Sequence, residues 1–139
     1  MDIEHTKEAV KKEEGFRLET YKCTEGHLTG GYGHKMLEGE VPPTDHAGWL
    51  KIFERDFARA MTGAEDLLML CPNIHETARH IVVEMVYQMG SYGVSRFKKF
   101  LQALQDSDYK EASVQMLDSR WAKQTPNRAN RMSERMANI

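Results

Sequence analysis

Glycine punctuates one short stretch of this chain, and that stretch limits what the chain can fold into. Six of the ten glycines lie between residues 15 and 39. The runs between them are rich in strand-forming residues: Arg17 to Lys22, His27 to Thr29, and the residues around Tyr32. Short runs separated by glycines predict a small antiparallel hairpin sheet. Pro42-Pro43 should end it, because paired prolines cannot continue a strand ladder.

Helical patterns occupy the chain on both sides of this sheet. Residues 3–14 predict a first helix, and Thr44 or Asp45 can cap a long amphipathic helix that runs to about Met61. We expect a buried turn or short helix at residues 67–70, before Pro72. Four further helices are predicted: one from about Ala78 that stops at Gly90, one around Phe97 to Leu104, one from Tyr109 to Trp121, and one that begins at Pro126 with Thr125 as its cap.

These patterns predict an α+β fold within one domain of residues 1–139. A small antiparallel β-lobe would occupy about residues 15–44, and a connecting helix about residues 45–62. A mainly helical lobe would take about residues 63–139 together with the N-terminal helix 3–14. A chain of 139 residues suits a single domain of this kind.

Composition excludes several classes of function. The formal net charge is −2, which gives no basic face for nucleic acid. No apolar stretch approaches the roughly 20 residues of a membrane span, and residues 1–14 lack the apolar block of a signal peptide. Cys23 and Cys71 make no disulfide framework. Neither a zinc-ligand spacing nor a His-Glu-x-x-His run is present, so we expect no metal and no cofactor.

Glu14, Cys23 and Thr29 offer an acid, a thiol and a hydroxyl within one short run of the chain. Eight residues separate the acid from the thiol, and five separate the thiol from the hydroxyl. Hydrolysis of a glycosidic bond generally needs an acid on one side of the bond and a second group on the other. A helix end can supply Glu14, and the hairpin that follows can supply the other two. Taken singly, each residue also has a structural explanation: a solvated carboxylate, a small buried thiol and a strand threonine.

The sequence around these three residues resembles that of the phage lysozymes. Residues 14–34 are similar to the family pattern E-G-x-R-L-x-x-Y-x-(D/C)-x-x-G-x-x-T-x-G-x-G-H. Residues 86–94 and 119–129 resemble two later segments, in the family's order. The segment between His34 and about Trp49 is shorter than in the T-even phage lysozymes, and the chain ends soon after Arg131. The resemblance implies a lysozyme-like fold.

The resemblance also implies catalytic roles. Glu14 matches the catalytic acid, Cys23 matches the position of the second carboxylate, and Thr29 matches the residue that holds the attacking water. Arg128 matches a basic residue that pairs with the catalytic acid.

Further positions match structural and binding residues of the family. His34 and Asp56 match an ion pair between the β-lobe and the connecting helix. Three positions would touch glycan: Tyr87, Phe100 and Gln115.

The function implied is that of an endolysin. It would act as a muramidase on the β-1,4 bonds between N-acetylmuramic acid and N-acetylglucosamine, by water attack with inversion. Its partners would be peptidoglycan glycan strands. The protein would be a monomer, held in the host cytoplasm until a separate holin-type protein gives it access to the wall. The alternatives are a lytic transglycosylase, and a catalytically weak glycan-binding or virion module.

Cys23 leaves the mechanism open. A free thiol has a pKa of about 8.5, so only a few per cent is ionised at pH 7. The thiol could be a base that helps Thr29 activate water, a nucleophile that gives retention, or a passive group. Lys22 is a poor candidate for lowering the pKa of the thiol, because neighbours on a strand point to opposite faces.

Overall fold

The computed structural model describes residues 2–139, and these divide into two compact units. The first comprises residues 2–59 and the second residues 60–139. The first unit includes the N-terminal helix, whereas the sequence pattern predicted that helix as part of the helical lobe. Within residues 2–139, no helix is long and apolar enough to cross a membrane. The predicted α+β class is confirmed, since a three-stranded antiparallel sheet accompanies seven helices among these residues.

The first unit contains one helix, the sheet and the start of a second helix. Its elements are α1 (Ile3–Glu14), β1 (Arg17–Lys22), β2 (Leu28–Gly31), β3 (His34–Lys35) and the beginning of α2 (His46–Leu67). Both α1 and β1 have the predicted bounds. The strand expected around Tyr32 was misplaced: Tyr32 and Gly33 form the turn, and the third strand follows at His34–Lys35.

Trp49 fastens the sheet to α2. Its side chain is 1% exposed, and its indole Nε1–H donates to the carbonyl oxygen of Leu18 at 2.8 Å. A Cβ atom at Gly30 would lie 2.5 Å from the indole ring, and one at Gly31 would lie 2.4 Å from it. The two glycines therefore let the strand β2 approach the ring closely, which fixes the hairpin on the helix.

Lysine stems complete the thin apolar face of α1. Val10 and Thr6 are buried, whereas Lys7 and Lys11 place their ammonium groups over aromatic rings of α2. The Lys7 Nζ also lies 2.6 Å from the Glu54 carboxylate. Cation–π contacts and the aliphatic lysine stems therefore supplement apolar packing in holding α1 to the first turns of α2.

The second unit is helical. After the end of α2 it contains α3 (Glu76–Ser95), α4 (Lys98–Gln105), α5 (Tyr109–Leu117), α6 (Arg120–Gln124) and α7 (Pro126–Ala137). The predicted stop at Gly90 corresponds to a kink, where Gly90 has φ 80° and ψ 159°. The buried apolar core lies largely on these helices: Ile81, Val82, Met85, Phe100, Leu104, Met116, Met132 and Met136.

Three sequence predictions for the second unit need correction. The helix predicted from Tyr109 to Trp121 is two helices, because the Ser119 hydroxyl accepts the Ala122 N–H and caps a new one. Pro126 does begin α7 and Thr125 occupies its N-cap position, but the Thr125 hydroxyl makes no capping bond and donates to the Trp121 carbonyl oxygen instead. The helix α2 continues to Leu67 rather than about Met61. The turn after it buries Leu68 but exposes the next two residues.

Candidate active site

Glu14 lies at the last position of α1, and its carboxylate rests against the turn between β2 and β3. A Cβ atom at Gly33 would lie 2.5 Å from the Glu14 Oε2 and 3.0 Å from its Cδ. Gly33 has φ +75°, a conformation that L side chains rarely adopt. Gly33 has no side chain, and the Glu14 carboxylate can therefore lie directly against the backbone of the turn.

Replacing Gly33 with alanine should misplace Glu14. The new methyl group would occupy the position of the carboxylate, and a displacement of about 1 Å can cost up to roughly a hundredfold in rate. We expect Gly33→Ala to lower kcat for glycan hydrolysis about tenfold. Gly39→Ala is the matched control, because Gly39 has φ +79° and no atom within 4 Å of its Cβ position. If both variants lose kcat equally, backbone strain rather than Glu14 explains the loss.

Cys23 and Thr29 lie together at the hairpin that joins β1 and β2. The Cys23 N–H donates to the carbonyl oxygen of His27 at 2.8 Å, and the Gly26 N–H donates to the carbonyl oxygen of Cys23 at 2.9 Å. Thr29 is 4% exposed, and its hydroxyl donates to the His27 carbonyl oxygen at 3.0 Å. The hairpin thus fixes the backbone at Cys23 and the side chain of Thr29.

The surroundings of Cys23 favour its ionised form. Partial burial opposes ionisation of the thiol, but the backbone N–H groups of Glu25 and His27 donate to the sulfur and lower its pKa. The Thr29 hydroxyl and the positive charge of Lys35 lower that pKa further. The resulting pKa of Cys23 lies below its ordinary value, because hydrogen bonds and opposite charges stabilise the thiolate.

Sequence reasoning missed Lys35. It tested Lys22, which pairs with Leu28 in the sheet, whereas the cation that acts on the thiol lies on β3. Lys35 pairs with Thr29 across the β2–β3 ladder. A correct placement of the third strand would have been the signal, since the residue after His34 then lies opposite Thr29.

His34 and Asp56 are brought together by the structure, and Glu40 joins them. The His34 Nδ1 lies 2.6 Å from the Asp56 Oδ2, and its Nε2 lies 2.9 Å from the Glu40 Oε1. The Leu37 N–H donates to Glu40, and together with the His34 ring this holds the pKa of the Glu40 carboxyl below its ordinary value. Glu40 was not expected from sequence. The imidazole therefore links β3 to α2 through Asp56, and to the loop between β3 and α2 through Glu40.

Neutralising Glu40 should destabilise the protein in a pH-dependent way. Because the pKa of Glu40 is lower in the folded state, its contribution is fully present above the unfolded value of about 4.3 and is lost as pH falls through the folded value. We expect Glu40→Gln to lower the free energy of unfolding by about 1 kcal/mol at pH 7. Urea unfolding should show this difference shrinking below about pH 4.3. Glu38→Gln, an exposed neighbour, is the control. A difference that does not change with pH would contradict the assignment.

The remaining candidate residues lie in the second unit. Phe100 is 1% exposed and lies in the core, so its burial argues against direct contact between its ring and a glycan. Tyr87 and Gln115 are half-buried, and the Gln115 amide donates to Glu111 at 2.8 Å. Arg128 is buried in α7. The predicted pairing of Arg128 with Glu14, and the glycan contacts of Tyr87 and Gln115, stay predictions.

Metal chemistry has no ligand set in the part of the chain that the structure describes. Residues 2–139 contain no group of three or more His, Cys, Asp or Glu side chains that could hold a metal ion. Both cysteines are free thiols. The first unit holds the candidate carboxyl group of Glu14, the thiol of Cys23 and the hydroxyl of Thr29.

An acid at a helix end and, in the same compact unit, a hairpin that carries a thiol of lowered pKa and a fixed hydroxyl are the groups of a candidate acid–base hydrolase. The model of the phage lysozyme family matches residues 11–138. The chain belongs to the phage lysozyme family, as the resemblance predicted.

Individual relatives agree with this assignment. The chain is 31% identical to "Probable T4-type lysozyme 2" of Dictyostelium discoideum, over 94% of this chain and 92% of that protein. It is 29% identical to the pre-baseplate central spike protein of Enterobacteria phage T4, over 91% of this chain and 26% of that protein. It is 27% identical to a peptidoglycan hydrolase of Pseudomonas phage phiKMV, over 98% of this chain and 15% of that protein.

Proposed function

We propose that this protein is a muramidase that hydrolyses the β-1,4 bonds between N-acetylmuramic acid and N-acetylglucosamine in bacterial peptidoglycan. The observation that carries the proposal is the position of Glu14, whose carboxylate lies against Gly33 in the unit that also holds Cys23 and Thr29. Membership of the phage lysozyme family and likeness to a named peptidoglycan hydrolase support the substrate class.

In the proposed reaction, Glu14 is the general acid. It gives its proton to the glycosidic oxygen as the bond from that oxygen to the anomeric carbon breaks. The positive charge that develops on the sugar is quenched by a water molecule, which attacks from the opposite face. This step leaves Glu14 as a carboxylate, and solvent returns its proton before the next cycle.

Thr29 and Cys23 position and deprotonate the attacking water molecule. The Thr29 hydroxyl, fixed by the hairpin, orients the water oxygen, and the Cys23 thiolate accepts the proton that the water loses. The new bond joins the water oxygen to the anomeric carbon, so the product has inverted configuration. The lowered pKa of Cys23 supports a base role, because a base must be ionised to accept a proton.

The same lowered pKa also favours a second mechanism. A thiolate is a strong nucleophile, and attack by Cys23 on the anomeric carbon would form a thioglycoside that water then hydrolyses with net retention. NMR of the product anomers in the first minutes separates the two mechanisms. A predominance of inverted product supports water attack, and a predominance of retained product transfers the role of nucleophile to Cys23.

The activity is tested with outer-membrane-stripped bacterial cells and purified peptidoglycan. We expect loss of turbidity and the release of muropeptides with reducing ends. Anhydromuramic products, recognised by mass, would instead identify a lytic transglycosylase. Binding to the wall without release of fragments would support a catalytically weak binding module.

We also propose that the protein is a monomeric endolysin, made in the host cytoplasm and admitted to the wall by a separate holin-type protein. Expression in bacteria with and without a membrane-permeabilising protein tests this. Lysis should require the second protein. The virion alternative, motivated by likeness to a central spike protein, would be supported by recovery of the chain in purified particles.

A further inference from the structure

The strand register places Lys35 on the face of the sheet that carries the thiol and the hydroxyl. Tyr21 pairs with Thr29, and Thr29 pairs with Lys35. Residues directly opposite each other on paired strands share a face. Cys23 lies two positions beyond Tyr21 and continues the ladder through its N–H bond to His27. It therefore shares that face as well.

Other charged groups also lie near this face. Glu25 and His27 lie in the turn, with their side chains 3.9 Å apart. The Arg17 guanidinium lies 4.5 Å above the Tyr21 ring, further along β1. Lys22 pairs with Leu28 and so lies on the opposite face. Lys35 is exposed, and because it lies opposite Thr29 its ammonium group can reach the sulfur beside that threonine.

We propose that Lys35 is a positioning residue for the reaction, whose ammonium group is the counter-ion of a Cys23 thiolate on the same face of the sheet. This inference rests on the proposed function. It gives the site a larger thiolate fraction at neutral pH with no second carboxylate, because the charge of the lysine offsets that of the sulfur. The pair takes the place of the ionised carboxylate that the family pattern allows at the position of Cys23.

The Thr29 hydroxyl can follow the charge on the sulfur. A hydroxyl has one proton to donate, and in the structure it donates to the His27 carbonyl oxygen. When Cys23 is ionised, the same hydroxyl can turn its proton to the sulfur, which agrees with its contribution to the lowered pKa of Cys23. The lysine and the threonine then stabilise the thiolate from two directions.

The test measures the thiol directly. In a Cys71→Ala background, which leaves Cys23 as the one thiol, the rate of iodoacetamide alkylation is followed against pH. We expect Lys35→Met to raise the pH midpoint of this alkylation profile by about 0.4 of a pH unit. This is the effect of one charge several ångströms away in a water-like medium. Lys35→Arg should restore the low midpoint. Lys22→Met, which removes the same charge from the opposite face, should shift the midpoint of the pH profile by less than Lys35→Met does.

Lytic activity provides the second readout. At pH 7, Lys35→Met should lower kcat about two- to threefold, in step with the smaller thiolate fraction, and raising the pH should restore it. An unchanged midpoint overturns the proposal, and so does a loss of kcat that persists at high pH. If the wild-type protein shows no lysis but the midpoint still shifts, the proposed function fails while the charge coupling stands.

Discussion

Glu14→Gln should lower the rate of peptidoglycan hydrolysis by at least about two orders of magnitude, the usual scale for loss of a general acid. Glutamine has nearly the same shape as glutamate and can keep contact with the turn at Gly33, but it cannot give a proton to the leaving oxygen. The loss should therefore fall on kcat rather than on KM, because substrate binding does not need that proton.

Two controls make this result specific. Glu8→Gln removes the same charge from an exposed position on the same helix and should keep wild-type activity. Thermal unfolding of Glu14→Gln should match that of the wild type within a few degrees, since the substitution removes no apolar contact. Wild-type lysis by Glu14→Gln would overturn the assignment of the acid and the muramidase proposal with it.

The helix α1 and the strand β1 were predictable from sequence because their limits are chemically marked. Gly15 separates them, and Gly26 lies in the turn that follows β1. The third strand was misplaced because Gly31 and Gly33 both have positive φ, and glycines on each side of Tyr32 do not reveal which of them ends the turn. Choosing the wrong glycine as the end of the turn therefore displaces the predicted third strand by only two or three residues.

That small error concealed the most informative neighbour of the thiol. Lys35 lies near the thiol only because it pairs with Thr29 across β2 and β3. That pairing depends on the register of the two strands. Glu40 was missed for a related reason, because its interaction with His34 depends on the path of an irregular loop. Neither residue belongs to a local motif. By contrast, Glu14, Cys23 and Thr29 could be selected because residues 14–34 together resemble the phage lysozyme pattern.

Replacing Cys23 separates its three possible roles, and the expected effect is again large. If the thiolate is the base, Cys23→Ala should lower kcat at neutral pH about a hundredfold, within the range for loss of a general base. Cys23→Asp should keep substantial activity, because a carboxylate can also accept the proton. Cys71→Ala, at the buried second thiol, controls for loss of a sulfur atom. Activity of Cys23→Ala within twofold of wild type would make the thiol a passive group.

The pH dependence of these variants gives the sharper distinction. If the thiolate is the active form, wild-type kcat should rise with pH through the pKa of Cys23, which lies below its ordinary value. Aspartate ionises near pH 3.9, so Cys23→Asp should move this rising limb down by several pH units. A limb that stays in place would show that another group controls it. If inversion of product configuration persists in Cys23→Asp while the limb moves, the residue at this position acts as a base on water rather than as a nucleophile on the sugar.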